Sequence, residues 1–242
     1  WLPKKLERSL KYLEETNLTL IAHDYVRAQT GKLDVRIDCF RHFENAHDPY
    51  IALYRRGYLA TSTVMARRDR VVAAGRFDTN LPTAQDFDLW LTMLAAPESR
   101  FRLFGEALTR YHVTPGSITS HIERRLDCTL EIADRHLADV GKRGGSKIAS
   151  LWFRVAAVHY EAIMAYRSLD NIYGAGMVLA RLPEKLASAT LDAFFGAGVK
   201  PGKTMAMAFA GWIVVILSAY VFQFRHLINP ILQVLGAWSW RS

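Results

Sequence analysis

Three side chains suited to proton transfer or metal binding lie in the middle of the chain: Asp86, Asp88 and His112. Residues two apart on a helix point about 200° away from each other, so Asp86 and Asp88 cannot both face one substrate. Asp86 falls in the first turn of a predicted helix, where the helix dipole favours an ionised carboxylate. We therefore predict that Asp86 is a charged acceptor able to take a proton, while Asp88 pairs with a base such as Arg76 or complements the dipole.

Local patterns predict the elements that position this acid. Residues 61–66 are rich in β-branched side chains and alternate as a strand does, and residues 68–74 suit a short helix. Gly75 is placed to end that helix in a left-handed conformation. A second helix is predicted to begin near Gln85 and to carry Trp90 on its apolar face.

At these residues the sequence resembles a known enzyme family. Gly75-Arg76-Phe77-Asp78 and Gln85-Asp86-Phe87-Asp88-Leu89-Trp90 resemble the family 2 glycosyltransferases of the GT-A fold, where a GxFD turn leads into an acidic-Asp-x-Asp-Leu-Trp helix. The second residue of the acidic pair is the catalytic base in that family. The resemblance assigns this role to Asp86, with Gln85 standing where a Glu is more usual. It also places five neighbours at the donor and acceptor site: Gly75, Phe77, Asp78, Gln85 and Trp90.

Two further segments extend the resemblance. Arg110-Tyr111-His112 with Gly116-Ser117 resembles the family's late histidine segment, which implies that His112 completes the coordination of a divalent metal ion, Mg²⁺ or Mn²⁺, holding the donor diphosphate. Trp1–Glu7 resembles the segment just after the family's metal-binding Asp motif, and that motif itself is missing. We therefore expect the nucleotide-binding half and the other metal ligands to lie upstream in a longer parent protein, and we do not expect this chain alone to turn over.

The resemblance implies an inverting transfer of a sugar from a nucleotide-sugar donor to a hydroxyl of a glycan or lipid-linked acceptor, in cell-surface polysaccharide or glycan synthesis. Asp86 would remove the hydroxyl proton as the anomeric carbon is attacked. Two other classes stay open. One is a catalytically silent homologue that binds glycans, raised by Gln85, and the other is a membrane-bound scaffold formed by the helical tail.

Composition places the charge excess in the tail. The chain has 242 residues, half of them apolar, which is enough for one domain with a buried core and an appendage. Residues 1–140 carry 20 Lys and Arg against 19 Asp and Glu, whereas residues 141–242 carry 11 against 4. We interpret the basic excess as favouring an anionic membrane face over nucleic acid. Cys39 and Cys128 give neither a metal spacing nor a disulfide framework, which favours a reducing compartment.

The remaining segments alternate short strands with amphipathic helices. Helices are predicted at 4–15, 50–56, 122–140 and 147–168, with two more meeting at Pro183; strands are predicted at 18–22, 33–37 and, as a pair separated by Gly105, within 101–113. His23 and Asp24 are interpreted as a hydrogen-bonded strand end, with a substrate contact as the alternative. The histidines at 42 and 47 are interpreted as part of a solvated loop rather than a metal site.

An uncharged run of 21 residues, 204–224, is long enough to cross a bilayer as a helix of roughly 30 Å. Residues 227–240 are apolar but shorter and end in Trp238 and Trp240, which is typical of an interfacial segment. We expect a membrane-associated protein whose catalytic part faces the cytoplasm, because nucleotide sugars are cytosolic.

The predicted fold class is therefore α/β. Residues 1–121 are predicted to form the acceptor-side half of a GT-A glycosyltransferase domain. An α-helical region, 122–203, and a C-terminal membrane anchor with a transmembrane helix, 204–242, are predicted to follow.

Overall fold

The computed structural model describes residues 1–15, 17–28, 31, 33–112 and 121–195. The predicted membrane anchor, 204–242, and residues 113–120, which follow His112, lie outside these residues. Residues 1–179 form one compact unit, and residues 180–242 are a second. The fold is α/β, with a four-stranded sheet and helices around it. The predicted domain boundary at residue 121 stays a prediction.

Helices and strands of the described part are numbered separately in chain order. The helices are α1 Lys5–Glu15, α2 Arg41–Glu44, α3 Pro49–Arg56, α4 Arg68–Ala73, α5 Gln85–Leu94, α6 Ile122–Arg135, α7 Leu137–Gly141, α8 Lys147–Ser168 and α9 Ile172–Phe195. The strands are β1 Leu20–Ala28, β2 Val35–Ile37, β3 Met65–Ala66 and β4 Phe101–His112. A 3₁₀ turn, Thr61–Thr63, lies before β3.

Strand β1 is the centre of the sheet. Along one edge β4 runs parallel to it, with Leu20 opposite Phe101 and Ala28 opposite His112. Along the other edge β3 pairs antiparallel with the start of β1, and β2 pairs antiparallel with its end. The carboxyl ends of β1 and β4 therefore lie together, which places His112 at one margin of the sheet.

Strand β4 is one continuous strand, so the predicted pair of short strands separated by Gly105 is wrong. The register shifts at Asp24, which faces four residues of β4, 105–108. Arg36 fixes this bulge by donating from one nitrogen to Asp24 Oδ2 and to the carbonyl of Gly105, both at 2.7 Å. The glycine thus marks a bulge within a strand rather than a break between two.

His23 and Asp24 lie inside the strand, because β1 spans Leu20–Ala28 rather than the predicted 18–22. His23 and Asp24 are both fully buried. Asp24 Oδ1 accepts the backbone N–H of Phe40 at 2.9 Å, and His23 Nδ1 lies 2.7 Å from the Asp24 carbonyl oxygen. Burial lowers the pKa of His23. The predicted hydrogen bonding is confirmed, whereas the predicted strand-end position is wrong.

Residues 61–66 form a 3₁₀ turn followed by the two-residue strand β3, so a strand over the whole segment is wrong. The Thr63 hydroxyl donates to the Ala60 carbonyl at 2.7 Å, and the Thr63 N–H donates to the same oxygen at 2.8 Å. Hydroxyl side chains that bond nearby carbonyls offer the backbone an alternative to strand pairing. Threonine, a β-branched residue on which the strand prediction was based, therefore stabilises a turn here.

Two predictions for the later helices are wrong in detail. The segment 122–140 is divided into α6 and α7 at His136, whose backbone leaves helical geometry at φ −93° and ψ 4°. Helix α9 continues through Pro183 rather than ending there. The prediction for 147–168 is confirmed by α8, and Asn171 caps α9 by accepting the Gly174 N–H at 2.8 Å.

Helices α6 and α8 pack against the helix that precedes the 3₁₀ turn. The Tyr54 hydroxyl of α3 donates to the carbonyl of Ala133 on α6 at 2.9 Å, and Arg55 donates to Ser150 Oγ on α8 at 3.0 Å. Tyr54 is fully buried in this contact. These contacts place α6 and α8 against α3. None of the helices within the described ranges combines the length and hydropathy needed to cross a membrane.

Candidate functional site

Asp86 lies in the first turn of α5, partly exposed to solvent. Its Oδ1 accepts the Phe87 N–H at 2.8 Å, and its Oδ2 accepts a short hydrogen bond from the Thr61 hydroxyl. Ala84 begins the helix from a left-handed conformation, φ 61° and ψ 20°, and its carbonyl accepts the Asp88 N–H at 3.2 Å. The carboxylate is therefore held in place, yet it stays at the surface.

The 3₁₀ turn that holds Asp86 is itself tied to two other parts of the molecule. The carbonyl of Ser62 accepts the indole N–H of Trp1 at 2.9 Å and the hydroxyl of Thr109 on β4 at 3.3 Å. The ammonium of Lys5 lies 4.3 Å from the centre of the Trp1 ring. Hydrogen bonds from Thr61 and to Ser62 thus connect the start of the chain, β4 and the first turn of α5.

The predicted glycine turn after α4 is confirmed. Gly75 has φ +87°, and Arg76 follows with φ +67°. Their N–H groups return to the carbonyls of Val72 and Val71 at 3.1 and 3.0 Å, which closes the carboxyl end of α4. Phe77 comes next and is half exposed, and this reversal of the chain puts it beside α5.

Trp90 and Gln85 make contacts within the protein that hold the turn and the start of α5, and their place at a donor or acceptor site stays a prediction. Trp90 is 4 % exposed, and the Phe77 ring meets it edge-on with centroids 6.3 Å apart. The Gln85 amide donates to the Leu81 carbonyl at 2.8 Å. An ionised Glu cannot donate this hydrogen bond, so Gln at position 85 has a local structural reason.

Asp78 and Asp88 share a single cation, Arg135 of α6. Arg135 Nη1 donates to Asp78 Oδ2 at 3.0 Å and to Asp88 Oδ2 at 3.1 Å, while His136 Nε2 lies 3.0 Å from Asp88 Oδ1. The Asn80 N–H and the Arg135 guanidinium hold the pKa of Asp78 below its ordinary value. The prediction of a cationic partner for Asp88 is confirmed, but Arg135 takes the place proposed for Arg76.

A second arginine of the later helices lies beneath the first turn of α5. Arg154 of α8 is 5 % exposed, and its guanidinium lies 4.4 Å from the centre of the Phe87 ring. Burial lowers the pKa of Arg154 to about 10. Its Nε and Nη1 have no hydrogen-bond partner within the described part of the chain. The cation–π contact therefore fixes the residue that follows Asp86.

His112 is the last residue of β4 and is exposed. Thr109, three residues earlier on the same strand, reaches the 3₁₀ turn that holds Asp86. Within the ranges that the structure describes, no cluster of three His, Cys, Asp or Glu side chains could hold a metal ion. The described residues therefore do not form a metal site by themselves, and the role of His112 stays a prediction.

Sequence reasoning missed three contacts at this site. Thr61 is 25 residues from Asp86, and Arg135 and Arg154 are 47 and 67 residues from Asp88 and Phe87. No local pattern joins residues at such separations. The isolated threonines and arginines carry no signal of their own, so only the fold reveals these pairs.

Comparison with known proteins adds no assignment. No protein-family model, no curated protein and no solved structure matches this chain.

Proposed function

We propose that the chain is the acceptor-side half of an inverting GT-A glycosyltransferase, in which Asp86 is the general base. The observation that carries this proposal is the hydrogen bond from the Thr61 hydroxyl to Asp86 Oδ2 on a partly exposed carboxylate. The oxygen that accepts one alcohol can accept another, and an acceptor sugar presents the same chemical group. A base must be within hydrogen-bond reach of the proton it takes.

In the proposed reaction the acceptor oxygen forms a bond to the anomeric carbon of the donor sugar. The bond from that carbon to the diphosphate breaks, and the nucleoside diphosphate leaves with the electron pair. The acceptor proton passes to Asp86 Oδ2. General base catalysis contributes about 100- to 10,000-fold, so loss of this carboxylate lowers the rate of transfer by about this factor while the donor can still bind.

Three contacts support the proposal because they fix the carboxylate without covering it. The Phe87 N–H holds Oδ1, Arg154 fixes the Phe87 ring, and Arg135 holds the start of α5 through Asp88. When neighbouring residues already hold a catalytic group in place, orienting that group adds less to the activation free energy.

Among the described residues, His112 is the one that we propose binds the divalent metal ion, Mg²⁺ or Mn²⁺. When bound, it would neutralise charge on the leaving diphosphate. The described residues do not complete a coordination shell around His112, so no step of the mechanism is routed through the metal.

The proposed partners are a nucleotide-sugar donor, a glycan or lipid-linked acceptor and a membrane, with no nucleic acid. Membrane association rests on the sequence of residues 204–224 and 227–240, outside the described part, and on the basic excess of residues 141–242. A catalytic part facing the cytoplasm follows from where nucleotide sugars are found.

The proposal is tested by supplying membranes that contain the full parent protein with a panel of radiolabelled uridine, guanosine and deoxythymidine diphosphate sugars. We expect one class of donor to label lipid-linked or polymeric acceptor. Glycan binding without label incorporation from any donor would instead favour the catalytically silent homologue. Absence of both label incorporation and glycan binding would favour the membrane-bound scaffold.

A further inference from the structure

Lys5 is a buried cation at the start of α1. It is 1 % exposed, and no carboxylate within the described ranges forms an ion pair with it. Glu106, the acid of β4 that reaches α1, pairs with Arg8 instead. The ammonium of Lys5 lies 4.3 Å from the centre of the Trp1 ring and donates to the carbonyl of Val64 at 3.5 Å.

These contacts do not offset the cost of burying the charge. A hydrogen bond of 3.5 Å is long, and one aromatic ring replaces only part of the lost hydration of an ammonium group. Burial accordingly lowers the pKa of Lys5. Two polar atoms of the same interior, Ser9 Oγ on α1 and His23 Nε2 on β1, have no hydrogen-bond partner in the described part of the chain. An apolar side chain of equal length would therefore suit this interior at least as well as lysine does.

The two carbonyls reached from the start of the chain belong to the segment that holds Asp86. Val64, which accepts the ammonium, directly follows the 3₁₀ turn, and Ser62, within the turn, accepts the indole N–H of Trp1 at 2.9 Å. The first residue of the same turn, Thr61, donates its hydroxyl to Asp86 Oδ2. A continuous set of contacts thus runs from the buried ammonium to the carboxylate.

We propose that Lys5 is a positioning residue for Asp86. By contacting both the Trp1 ring and the Val64 carbonyl, the ammonium holds the 3₁₀ turn in place, and the turn places the Thr61 hydroxyl on Asp86 Oδ2. The effect of Lys5 on catalysis rests on the proposed function, in which Asp86 takes the acceptor proton, but its hold on the turn does not. A small displacement of a catalytic group lowers the rate even where substrate binding is unchanged.

The test compares three substitutions in the full parent protein. Lys5→Met keeps the length of the side chain and removes the ammonium. Trp1→Phe keeps an aromatic ring but removes the N–H donated to Ser62, and it spares the core because Trp1 is 69 % exposed. Lys4→Met is the matched control, since Lys4 is the exposed lysine next in sequence.

Each variant is measured for its urea unfolding midpoint, for hydrogen exchange at the Thr63 and Val64 amides that close the turn, and for single-turnover transfer and donor affinity. For Lys5→Met we expect an unfolding midpoint equal to or above that of the unmutated protein, severalfold faster exchange at both amides, and transfer slower by about 10- to 100-fold at unchanged donor affinity. Trp1→Phe should have the same effects on exchange and transfer to a smaller extent, and Lys4→Met should change none of these quantities.

The other results would overturn the proposal in distinguishable ways. A lower unfolding midpoint together with slower transfer would mean that Lys5 only supports the fold, and a parallel loss of donor affinity would place it in donor binding. Unchanged exchange at Thr63 and Val64, or transfer near the unmutated rate, would show that Lys5 does not position Asp86. Absence of transfer by the unmutated parent would remove the proposed function and the catalytic effect of Lys5 with it, whereas hydrogen exchange would still decide whether Lys5 holds the turn.

Discussion

The hydroxyl of Thr61 donates a short hydrogen bond to Oδ2 of Asp86, across 25 residues of sequence. This pair connects the 3₁₀ turn to the first turn of α5 at the surface. The Thr61 hydroxyl is the only alcohol that the described residues place on this carboxylate oxygen.

Replacing Thr61 with Val removes this donor while keeping the shape of the side chain. We expect the free energy of unfolding to fall by about 1 kcal/mol or less, because the hydrogen bond is exposed. Thr61→Ser should keep the wild-type value, since it retains the hydroxyl. Urea denaturation followed by circular dichroism measures both. A stability loss for Ser with none for Val would show that the methyl group, rather than the hydrogen bond, matters here.

Arg135→Met should destabilise the fold by about 2–3 kcal/mol, less than a fully buried pair because Arg135 is 39 % exposed. The substitution leaves Asp88, whose side chain is 9 % exposed, with His136 as its remaining partner in the described contacts. Arg124→Met, on the exposed face of the same helix, is the control and should change little.

A double-mutant cycle with Asp78→Asn separates the ion pair to Asp78 from those that Arg135 makes with Asp88 and Glu131. We expect a measurable coupling energy between positions 78 and 135, because the two side chains are in direct contact at 3.0 Å. Additive effects would mean that the ion pair to Asp78 contributes nothing and that the loss comes from the contacts of Arg135 with Asp88 and Glu131.

Ala84 has a left-handed backbone at the start of α5, a conformation that costs an L-residue about 1–2 kcal/mol. We therefore expect Ala84→Gly to leave the free energy of unfolding within about 1 kcal/mol of wild type, since glycine relieves strain but loses more entropy. Ala84→Val should destabilise clearly, because a β-branched residue tolerates this conformation least. Matching effects of Gly and Val in chemical denaturation would contradict the left-handed geometry.

Two glycines of α9 give opposite expectations for the same substitution. Gly176→Ala should stabilise by about 0.5–1 kcal/mol, because the added Cβ meets open space and alanine favours the helix. Gly174→Ala should destabilise by about 1–3 kcal/mol, because its Cβ would overlap the Tyr166 ring. Thermal unfolding of the pair measures the difference. Stabilisation by both would show that Tyr166 does not pack as described.

Local signals in the sequence predicted the turn and the helices around the site. Gly75 is left-handed as expected, α5 begins at Gln85, and α8 spans Lys147–Ser168. Each of these features depends on residues within one or two helical turns, so short-range pattern is sufficient to identify it.

Contacts between distant residues were not predictable in the same way. The bulge opposite Asp24 depends on Arg36, and the junction between α6 and α7 coincides with the contact of His136 and Asp88. Without these partners, Gly105 indicates a break between two strands, and the continuous apolar periodicity of residues 122–140 indicates one helix. Tertiary hydrogen bonds override the local pattern at both places.

The central claim is that Asp86 takes the acceptor proton, and Asp86→Asn tests it most directly. An amide cannot take the proton, but it keeps the size of the side chain, and its one carbonyl oxygen can accept either the Thr61 hydroxyl or the Phe87 N–H. Asp69→Asn is the matched control, because Asp69 is an exposed aspartate on α4, the helix that precedes the glycine turn.

The measurement is single-turnover transfer of radiolabelled sugar by the parent protein, with donor affinity determined separately by calorimetry. We predict that Asp86→Asn lowers the transfer rate by roughly 100- to 10,000-fold while donor affinity stays near the wild-type value, and that Asp69→Asn changes neither. Transfer by the Asp86→Asn protein at a rate near that of the unmutated protein would contradict the account.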